Sequence, residues 1–341
     1  MSDLSTLYCG IHLKNPIVIG ASNLVTDMSN LIKLEEAGAA AIVYKSLFEE
    51  QIQLESYAME QETGLYEDWD AEHASIFPAL GHAGPTEHLL KLRRVKESLS
   101  IPVIGSLNCV YEETWEEYAV KMAQTGVDAL ELNFYSTILD PTKTGTSIVG
   151  DQVNILKRVK EAVEIPVSVK LSPYYTNLLG VTKQMDEAGA EGFVLFNRLF
   201  QPDIDIDKED HHFPYNFSSS QDNRLALRYA GLLFDDVKAT VCSNTGVMTG
   251  ADAIKMILAG ADAVQVVSGI YKKGISHISH MVDEMAEWME AKGYHRVSDF
   301  RGKLAKSNMS DPFAYKRAQY IDILMKSELH MQYHPKEGEE L

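Results

Sequence analysis

The sequence predicts an α/β fold, a (β/α)8 TIM barrel with inserted loops at its carboxyl-terminal mouth. Three observations predict it: eight short apolar segments occur along the 341 residues, helix-length segments separate most of them, and most of them end in a polar residue. Eight such strands alternating with helices are typical of a parallel sheet that is buried on both faces and closed into a barrel.

Four of the predicted strands share one pattern. In each, a helical segment ends at a glycine suited to a left-handed helix cap, a few small or polar residues follow, and a short apolar run ends in a polar side chain. The four segments are EAGAAAIVYKS (36–46), QTGVDALELN (124–133), EAGAEGFVLFN (187–197) and LAGADAVQVVS (258–268).

The other four predicted strands are β-branched runs, three of which follow a proline. They are NPIVIGAS (15–22), IPVIGSLN (101–108), IPVSVKLS (165–172) and the looser VKATVCSNT (237–245). Helices are predicted over residues 27–37, 112–125, 150–163, 178–188, 222–235 and 250–259. An open doubly wound sheet is the alternative, but such a sheet favours a G-x-G-x-x-G turn after its first strand, and this chain has none there.

Two stretches interrupt the alternation, residues 47–85 after the second strand and residues 199–221 after the sixth. Both contain proline and charge in place of a helical period, and the first also contains glycine. Because both follow the carboxyl ends of strands, where barrels place their chemistry, we expect loops that cover an active site.

Composition excludes several classes of partner. The chain has 49 acidic against 31 basic residues and a net charge of −18, which repels nucleic acid and acidic membrane surfaces. Cys9, Cys109 and Cys242 form no C-x-x-C pair, and no apolar run approaches the roughly 20 residues that cross a bilayer. We therefore expect a cytoplasmic protein with reduced cysteines and no membrane contact.

Barrel geometry brings the strand ends together in one pocket. The polar residues at these ends are Ser22, Lys45, Asn108, Asn133, Lys170, Asn197 and Ser268. After the seventh and eighth strands, Thr245-Gly246 and Ser268-Gly269 are small residues that let backbone N–H groups approach a phosphate. For each residue alone, a helix cap or a solvated turn is the ordinary alternative.

Lys170 is the strongest single candidate for chemistry. It lies inside an apolar run, where an ammonium must be paired or must serve a ligand, either as a Schiff base or beside a negatively charged cofactor. Ser136 has no histidine or acidic residue near it in sequence, so a turn hydroxyl is its ordinary interpretation. His277, His280 and Glu284 have helical spacing but fall on an outer helix, and we predict no metal site.

Taken together, these segments resemble the dihydroorotate dehydrogenase family of FMN-dependent (β/α)8 barrels, from about residue 7 to residue 304. VKLSPYY (169–175) is similar to that family's Val-Lys-Leu-x-Pro-Tyr signature. The family's other motifs are matched in order by NPIVIGAS (15–22), VYKS (43–46), ELNFYS (131–136), SNTGVMTGADA (243–253), QVVSGIYKKG (265–274) and HRVSDFRGKL (295–304).

The resemblance implies an FMN site and a catalytic centre. The expected FMN-binding residues are Ala21, Ser22, Lys45, Ser46, Asn133, Lys170, Thr245, Gly246 and Ser268, together with Asn108 and Gly269 from their places after predicted strands. Lys170 would lie at the pyrimidine edge of the flavin, and Ser136 falls on the family's catalytic base; Lys45 is the third expected catalytic residue. The implied reaction removes a proton from one carbon of a saturated ring bond and transfers hydride from the next carbon to flavin N5.

The substrate-binding residues depart from the family pattern. ASIFPAL (74–80) lacks the asparagine that grips orotate, and Ile138 stands where a second asparagine is usual. Asn133 and Asn197 remain as expected substrate ligands. Arg198, where a small hydroxyl residue is usual, can pair with a carboxylate.

Four functions follow as hypotheses. The first is oxidation of dihydroorotate or a related dihydropyrimidine, and the second is a reductase of the dihydropyrimidine dehydrogenase type acting on uracil or thymine. From another class comes a lyase that uses Lys170 as a Schiff base on a phosphorylated substrate, and the fourth is a flavin-binding regulator without turnover. The electron acceptor stays open.

Two domains and a homodimer are expected. Residues 1–304 form the barrel, and residues 305–341 form an extension with a helix that begins at Asp311-Pro312 and continues to residue 327. Phe313, Ile321 and Leu324 lie on one face of that helix, which favours packing on the barrel or on a second subunit. The final HPKEGEEL is expected to be disordered.

Overall fold

The computed structural model of the protein describes residues 2–62, 84–135, 140–198, 202–212 and 217–326. In this part of the chain the strands are β1 (Thr6–Tyr8), β2 (Ile11–Leu13), β3 (Ile17–Ile19), β4 (Ala41–Val43), β5 (Leu47–Phe48), β6 (Val103–Asn108), β7 (Ala129–Asn133), β8 (Val167–Leu171), β9 (Gly192–Leu195), β10 (Asp203–Asp205), β11 (Asp210–His212), β12 (Thr240–Ser243) and β13 (Ala263–Val266).

Eight of these strands form the predicted barrel. The parallel order is β3, β4, β6, β7, β8, β9, β12 and β13, and β13 pairs with β3 to close the circle, with Val264 opposite Ile17. Each barrel strand coincides with one of the eight apolar segments of the sequence. The (β/α)8 prediction is therefore confirmed, and the open sheet is excluded.

Helices surround the barrel. Those in the described part of the chain are α1 (Met28–Glu36), α2 (Glu49–Glu62), α3 (Pro85–Ser98), α4 (Glu112–Ala123), α5 (Gly145–Ala162), α6 (Leu178–Glu187), α7 (Arg224–Leu233), α8 (Gly250–Ala259), α9 (Ser268–Lys273), α10 (His277–Lys292) and α11 (Arg317–Met325). The six predicted helices correspond to α1 and α4–α8. Helix α5 begins earlier than predicted because Thr144 caps it, accepting a hydrogen bond from the Ser147 N–H.

The prediction of a loop over residues 47–85 is wrong for its first part. Leu47–Phe48 form β5 beside β6, and α2 follows directly. Glu49 and Glu50 lie in the first turn of α2, where carboxylates complement the helix dipole. Glu49 is buried and accepts hydrogen bonds from Val110 N (3.2 Å) and Thr114 Oγ1 (3.1 Å), which fixes the start of α2. The rest of this predicted cover, residues 63–83, lies outside the described residues.

The second predicted cover, residues 199–221, contains a short antiparallel hairpin. Its strands β10 and β11 pair with Asp203 opposite His212. A 3-10 turn over Ser220–Asn223 leads from the cover into α7. Residues 199–201 and 213–216 lie outside the described part.

The amino-terminal end of the barrel is closed by the β1–β2 hairpin. Tyr8 and Leu13 are buried in an apolar cluster with Cys9 and Val18. The Cys9 N–H also donates to Thr240 Oγ1 at 2.8 Å, which ties the hairpin to β12. Because this end is filled, the barrel opens toward the carboxyl ends of its strands.

The segment after the barrel differs from the prediction. The expected helix over 311–327 is a 3-10 turn (Phe313–Tyr315) followed by the shorter α11. Helix α11 has no buried residue, and Phe313, Ile321 and Leu324 are all exposed. The turn before α11 does contact the barrel, because Arg228 of α7 donates to the carbonyl oxygens of Ala314 and Tyr315, both at 3.2 Å. Residues 327–341, with the predicted disordered tail, lie outside them.

Candidate active site

A cavity of about 450 Å³ lies at the carboxyl ends of the barrel strands. This volume is within the range of roughly 300–1,000 Å³ that is typical of small-molecule sites. The described residues that line it are Ala21, Ser22, Asn23, Lys45, Ser46, Phe48, Asn133, Tyr135, Lys170, Asn197, Arg198, Phe217, Ser218, Asn244, Thr245, Gly246, Val247, Gln265, Val267 and Ser268.

Most predicted site residues meet in this cavity. Those that line it are Ala21, Ser22, Lys45, Ser46, Asn133, Lys170, Asn197, Arg198, Thr245, Gly246 and Ser268. They converge because they follow the carboxyl ends of strands that share one barrel edge. Ser136, the predicted catalytic base, lies outside the described residues.

Two predicted cofactor ligands do not line the cavity. Asn108 is buried, and its amide nitrogen donates to the backbone oxygens of Asn133 (2.6 Å) and Tyr135 (3.0 Å). Asn108 therefore supports the backbone after β7. Gly269 is buried in the first turn of α9, where a β-carbon would lie 3.2 Å from the Val247 carbonyl oxygen. Its small size lets α9 approach the loop after β12.

Sequence reasoning missed several lining residues. Gln265 offered a signal, because it is a polar residue inside the apolar run AVQVV. Asn244 adjoins the predicted phosphate loop, and its carbonyl oxygen Oδ1 accepts the Thr245 N–H at 2.7 Å. Phe48, Phe217 and Ser218 carried no signal, since they belong to segments with no strand or helix period.

Lys170 is paired inside the barrel. Its ammonium lies 3.7 Å from the Glu131 carboxylate and donates to Gln265 Oε1 at 3.4 Å. All three side chains are buried. The sequence had required a partner or a ligand for this ammonium, and the structure supplies a partner while leaving Lys170 at the cavity surface.

Lys45 enters the cavity from the end of β4. Partial burial lowers the pKa of its ammonium. The neighbouring Ser46 hydroxyl shares a hydrogen bond of 2.7 Å with the Ser106 hydroxyl, which holds the backbone after β4 against β6. Behind Lys45, burial and the charges of Lys45 and Lys91 lower the pKa of His88 to about 4, so His88 is neutral at pH 7.

The loop after β12 has an unusual backbone. Thr245 and Gly246 have positive φ angles of 71° and 74°. A β-branched residue rarely adopts this conformation, and such strained residues cluster at functional sites. The Gly246 N–H donates to Ser218 Oγ (3.1 Å), and the Ser218 N–H donates to Ser268 Oγ (3.1 Å). Ser218 thus joins the loops after β12 and β13.

The electrostatic character of the cavity contrasts with that of the chain. Lys45, Lys170 and Arg198 line it, and none of its described lining residues is Asp or Glu. The whole chain has a net charge of −18. Low-dielectric walls strengthen the field of these cations inside the cavity, so the cavity favours anionic ligands even though the Glu131 carboxylate below it offsets the charge of Lys170.

A comparison with models of protein families assigns this chain to a family. The family model described as dihydroorotate dehydrogenase matches residues 3–289, which is more than half of the chain. The chain belongs to the dihydroorotate dehydrogenase family. Membership confirms the resemblance found in the sequence and, with it, the predicted class of FMN-dependent oxidoreductase acting on a CH–CH bond.

Curated relatives of the dihydroorotate dehydrogenase family differ in substrate and electron acceptor. The catalytic subunit of dihydroorotate dehydrogenase B (NAD+) from Methanocaldococcus jannaschii is 28% identical over 301 residues, covering 84% of this chain and 94% of the relative. Dihydroorotate dehydrogenase A (fumarate) from Lactobacillus helveticus is 28% identical over 226 residues, 64% of this chain and 72% of the relative. A chloroplastic dihydropyrimidine dehydrogenase (NADP+) from Arabidopsis thaliana is 25% identical over 330 residues, 88% of this chain and 76% of the relative. None of these three is named as a lyase, so the Schiff-base hypothesis has no support.

The residues of the cavity fit FMN, the cofactor of this family. Ser22 Oγ and Asn133 Oδ1 are buried at the cavity without a hydrogen-bond partner in the described part, and a bound ligand would satisfy them. A β-carbon at Gly246 would lie 2.5 Å from the Ser219 carbonyl oxygen, so this loop requires glycine to hold its shape. Small residues and backbone N–H groups after β12 and β13 suit a phosphate.

Proposed function

We propose that this protein oxidises dihydroorotate, or a closely related acidic dihydropyrimidine, in the cavity at the mouth of the barrel. The observation that carries the proposal is the charge at the surface of that cavity: its described lining has three cationic side chains and no carboxylate in a chain of net charge −18, although the buried Glu131 carboxylate below it offsets Lys170. One anion, the FMN phosphate, belongs beside the loops after β12 and β13. Lys45, Lys170 and Arg198 surround the remaining space, which suits a substrate with a carboxylate of its own.

Each residue has a proposed role. Ala21, Ser22, Lys45, Ser46, Asn133, Lys170, Thr245, Gly246 and Ser268 hold FMN. When bound, FMN supplies the acceptor for hydride from the substrate. Lys170 places its positive charge against the flavin, and Ser136 removes a proton from the substrate. A serine is a weak base, so this role requires a site that excludes water.

Arg198 is the proposed determinant of substrate charge. It lines the cavity beside Asn197, whose amide nitrogen donates to the Lys170 carbonyl oxygen at 3.3 Å. A guanidinium can bind a carboxylate through two parallel hydrogen bonds. This contact would compensate for the asparagine that residues 74–80 lack; those residues lie outside the described part of the chain.

The first test is anaerobic reduction of the flavin. The purified protein, loaded with FMN, is mixed with dihydroorotate, dihydrouracil or dihydrothymine in a stopped-flow spectrometer. We expect dihydroorotate to bleach the flavin absorbance fastest. If none of the three bleaches it, the proposed reaction is wrong even though the family is established.

A second test uses Arg198 to distinguish an acidic substrate from a neutral one. Arg198→Met should lower kcat/KM for dihydroorotate at least tenfold, because a charge-assisted pair contributes roughly 1.5–3 kcal/mol. The same variant should leave the rate with dihydrouracil unchanged. Arg94→Met, which removes an exposed arginine of α3, is the matched control. Equal losses on both substrates would exclude a carboxylate contact.

A dihydropyrimidine dehydrogenase activity is the second candidate. It is favoured by the similarity to the Arabidopsis thaliana dihydropyrimidine dehydrogenase, which extends over 88% of this chain. Faster bleaching by dihydrouracil or dihydrothymine than by dihydroorotate would select it. A flavin-binding regulator is tested by Ser136→Ala, which should slow flavin reduction about 100-fold if Ser136 is the base.

The location, oligomeric state and electron acceptor of the protein are also matters of proposal. Within the described residues no helix is both long and apolar enough to cross a membrane. We propose a cytoplasmic homodimer, and sedimentation equilibrium of the FMN-loaded protein tests the dimer. The relatives' names include NAD+, fumarate and NADP+, so these acceptors are the ones to assay.

A further inference from the structure

We propose that Glu131 is a positioning residue for the reaction, the buried counter-ion that holds Lys170 and sets the net charge beneath the bound flavin. Gln265 completes the arrangement by bridging the two charges. The inference rests on the FMN site proposed above. Glu131 lies deeper in the barrel than the residues that line that site.

Each of the three side chains contacts the other two. The Gln265 amide nitrogen donates to Glu131 Oε2 at 2.5 Å, and the Lys170 ammonium donates to Gln265 Oε1 at 3.4 Å. The third side of the triangle is the ion pair between Lys170 Nζ and Glu131 Oε1, at 3.7 Å. Exposed fractions are 8% for Lys170, 0% for Glu131 and 1% for Gln265, so solvent screens none of these contacts.

Strand register places Glu131 one layer below the cavity. Asn133 pairs with Lys170 across β7 and β8, and Glu131 pairs with Ser168. Residues two apart on a strand point to the same face, so Glu131 points into the barrel as Asn133 does, but deeper. Lys170 and Gln265 line the cavity, whereas Glu131 does not. Glu131 therefore acts on a ligand through Lys170.

Stability alone gives a poor reason for this triad. A buried ion pair often contributes less than well-packed apolar residues of similar volume, because desolvation of both charges is costly. The geometry is also incomplete, since Glu131 Oε1 makes no hydrogen bond within the described part of the chain. A carboxylate oxygen that faces a ligand-facing ammonium as an ion pair, without a hydrogen bond, points to control of charge at the cavity.

The physical consequence concerns anionic ligands. With Glu131 charged, the Lys170–Glu131 pair has no net charge, and its field at the cavity is weaker than that of Lys170 alone. Glu131→Gln would remove the negative charge and keep an oxygen that accepts from Gln265. The ammonium would then favour the anionic reduced flavin over the neutral oxidised flavin more strongly than in the wild type.

The test is the two-electron midpoint potential of bound FMN. We expect Glu131→Gln to increase the preference for reduced over oxidised FMN at least tenfold, a positive shift of about 30 mV for a two-electron couple. Glu131→Met removes the same charge without any polar group and should shift the potential in the same direction. It carries the test if the glutamine variant does not fold, and thermal unfolding with FMN stoichiometry checks folding in each case.

Two controls separate charge from structure. Glu131→Asp keeps the negative charge and should change the preference less than threefold. Ser168 is the uncharged residue that pairs in register with Glu131 across β7 and β8. Ser168→Ala therefore changes the same layer without changing its charge and should leave the midpoint potential of FMN unchanged. Neutral variants within threefold of the wild type, or an aspartate variant that shifts as far as the glutamine variant, would overturn the inference. A wild-type protein that takes up no FMN would instead overturn the proposed cofactor site.

Discussion

Gly246 shows at the residue scale how backbone shape limits the cavity. Its φ is +74°, and a β-carbon would lie 2.5 Å from the Ser219 carbonyl oxygen and 2.6 Å from the Asn223 nitrogen. Gly246→Ala must therefore move the loop after β12. We expect FMN to bind at least tenfold more weakly, as measured by the quenching of flavin fluorescence on titration with protein.

The control for this substitution is Gly293→Ala at the end of α10. Gly293 has a φ of +75°, but no atom lies within 4 Å of its hypothetical β-carbon. It shares the left-handed strain, about 1–2 kcal/mol, without the steric clash. FMN affinity should stay at the wild-type value in this variant; an equal loss in both would assign the effect to general destabilisation.

His88 is the basis of a second prediction about a single residue, which concerns the stability of the folded protein at acidic pH. Burial, with the charges of Lys45 and Lys91, lowers the pKa of His88 to about 4 from 6.5. The unfolded chain therefore binds a proton that the folded chain does not, and stability is lost as pH falls from about 6.5 to 4. The loss amounts to at most about 3 kcal/mol.

His88→Gln should reduce this acid sensitivity. Urea unfolding at pH 7 and pH 4.5 measures the difference in free energy of unfolding, which should be smaller in the variant by about 2–3 kcal/mol. His12→Gln removes an exposed histidine of β2 and should leave the wild-type difference intact. A His88 variant with an unchanged pH dependence contradicts the prediction.

At the scale of elements, the first turn of α8 joins two loops of the site. Asp252 is buried and accepts hydrogen bonds from Ser220 Oγ (2.8 Å), Asn223 Nδ2 (3.2 Å) and the Met248 N–H (3.1 Å). Burial opposes ionisation, but these bonds and the Lys255 ammonium together lower the pKa of Asp252. The end of the predicted second cover is thereby fixed to the loop after β12.

Asp252→Ala should break this junction. Because several buried donors lose their acceptor, we expect the free energy of unfolding to fall by about 3 kcal/mol and FMN affinity to fall at least tenfold. Lys255→Ala removes a half-exposed partner of the same carboxylate and should change stability by less than about 0.5 kcal/mol. Urea unfolding and FMN titration measure both effects; wild-type values for Asp252→Ala would show that the junction has no structural role.

At the scale of the whole molecule, Asp262 joins the two ends of the chain to the barrel. It forms an ion pair of 2.7 Å with Arg301, and its backbone oxygen accepts from Thr6 Oγ1 at 2.9 Å. Burial raises the pKa of Asp262 to about 6, although Arg301 and the Val241 N–H oppose the shift. The folded state therefore holds this proton more tightly than the unfolded state.

The sign of the resulting pH dependence is opposite to that of His88. The stability that Asp262 contributes is present below its unfolded pKa of 3.8 and is lost as pH rises through about 6. The stability of the wild type relative to Asp262→Asn should thus fall by up to about 3 kcal/mol between pH 4 and pH 7. Urea unfolding of both proteins across this range measures it, and a constant difference would exclude titration of Asp262.

The sequence by itself determined the barrel and most of the cavity. Strand and helix periods, glycine caps and proline-led apolar runs are local signals, and barrel closure then brings strand ends such as Lys45, Asn133 and Lys170 together. The same local rule did not foresee that the Asn108 amide turns to the backbone after β7, because a strand end does not fix the direction of a side chain. It also missed α2, since proline, glycine and charge later in the 47–85 stretch obscured the helix-forming residues at its start.

Only the tertiary structure decided which groups contact one another inside the barrel. Gln265 and Glu131 are separated by 134 residues, and Lys170 and Gln265 by 95. No periodicity in the chain encodes such a pairing, because it depends on barrel register and on the depth of each side chain. The charge of the cavity and the partner of Lys170 therefore follow from the fold, whereas the positions of the strands that carry them follow from the sequence.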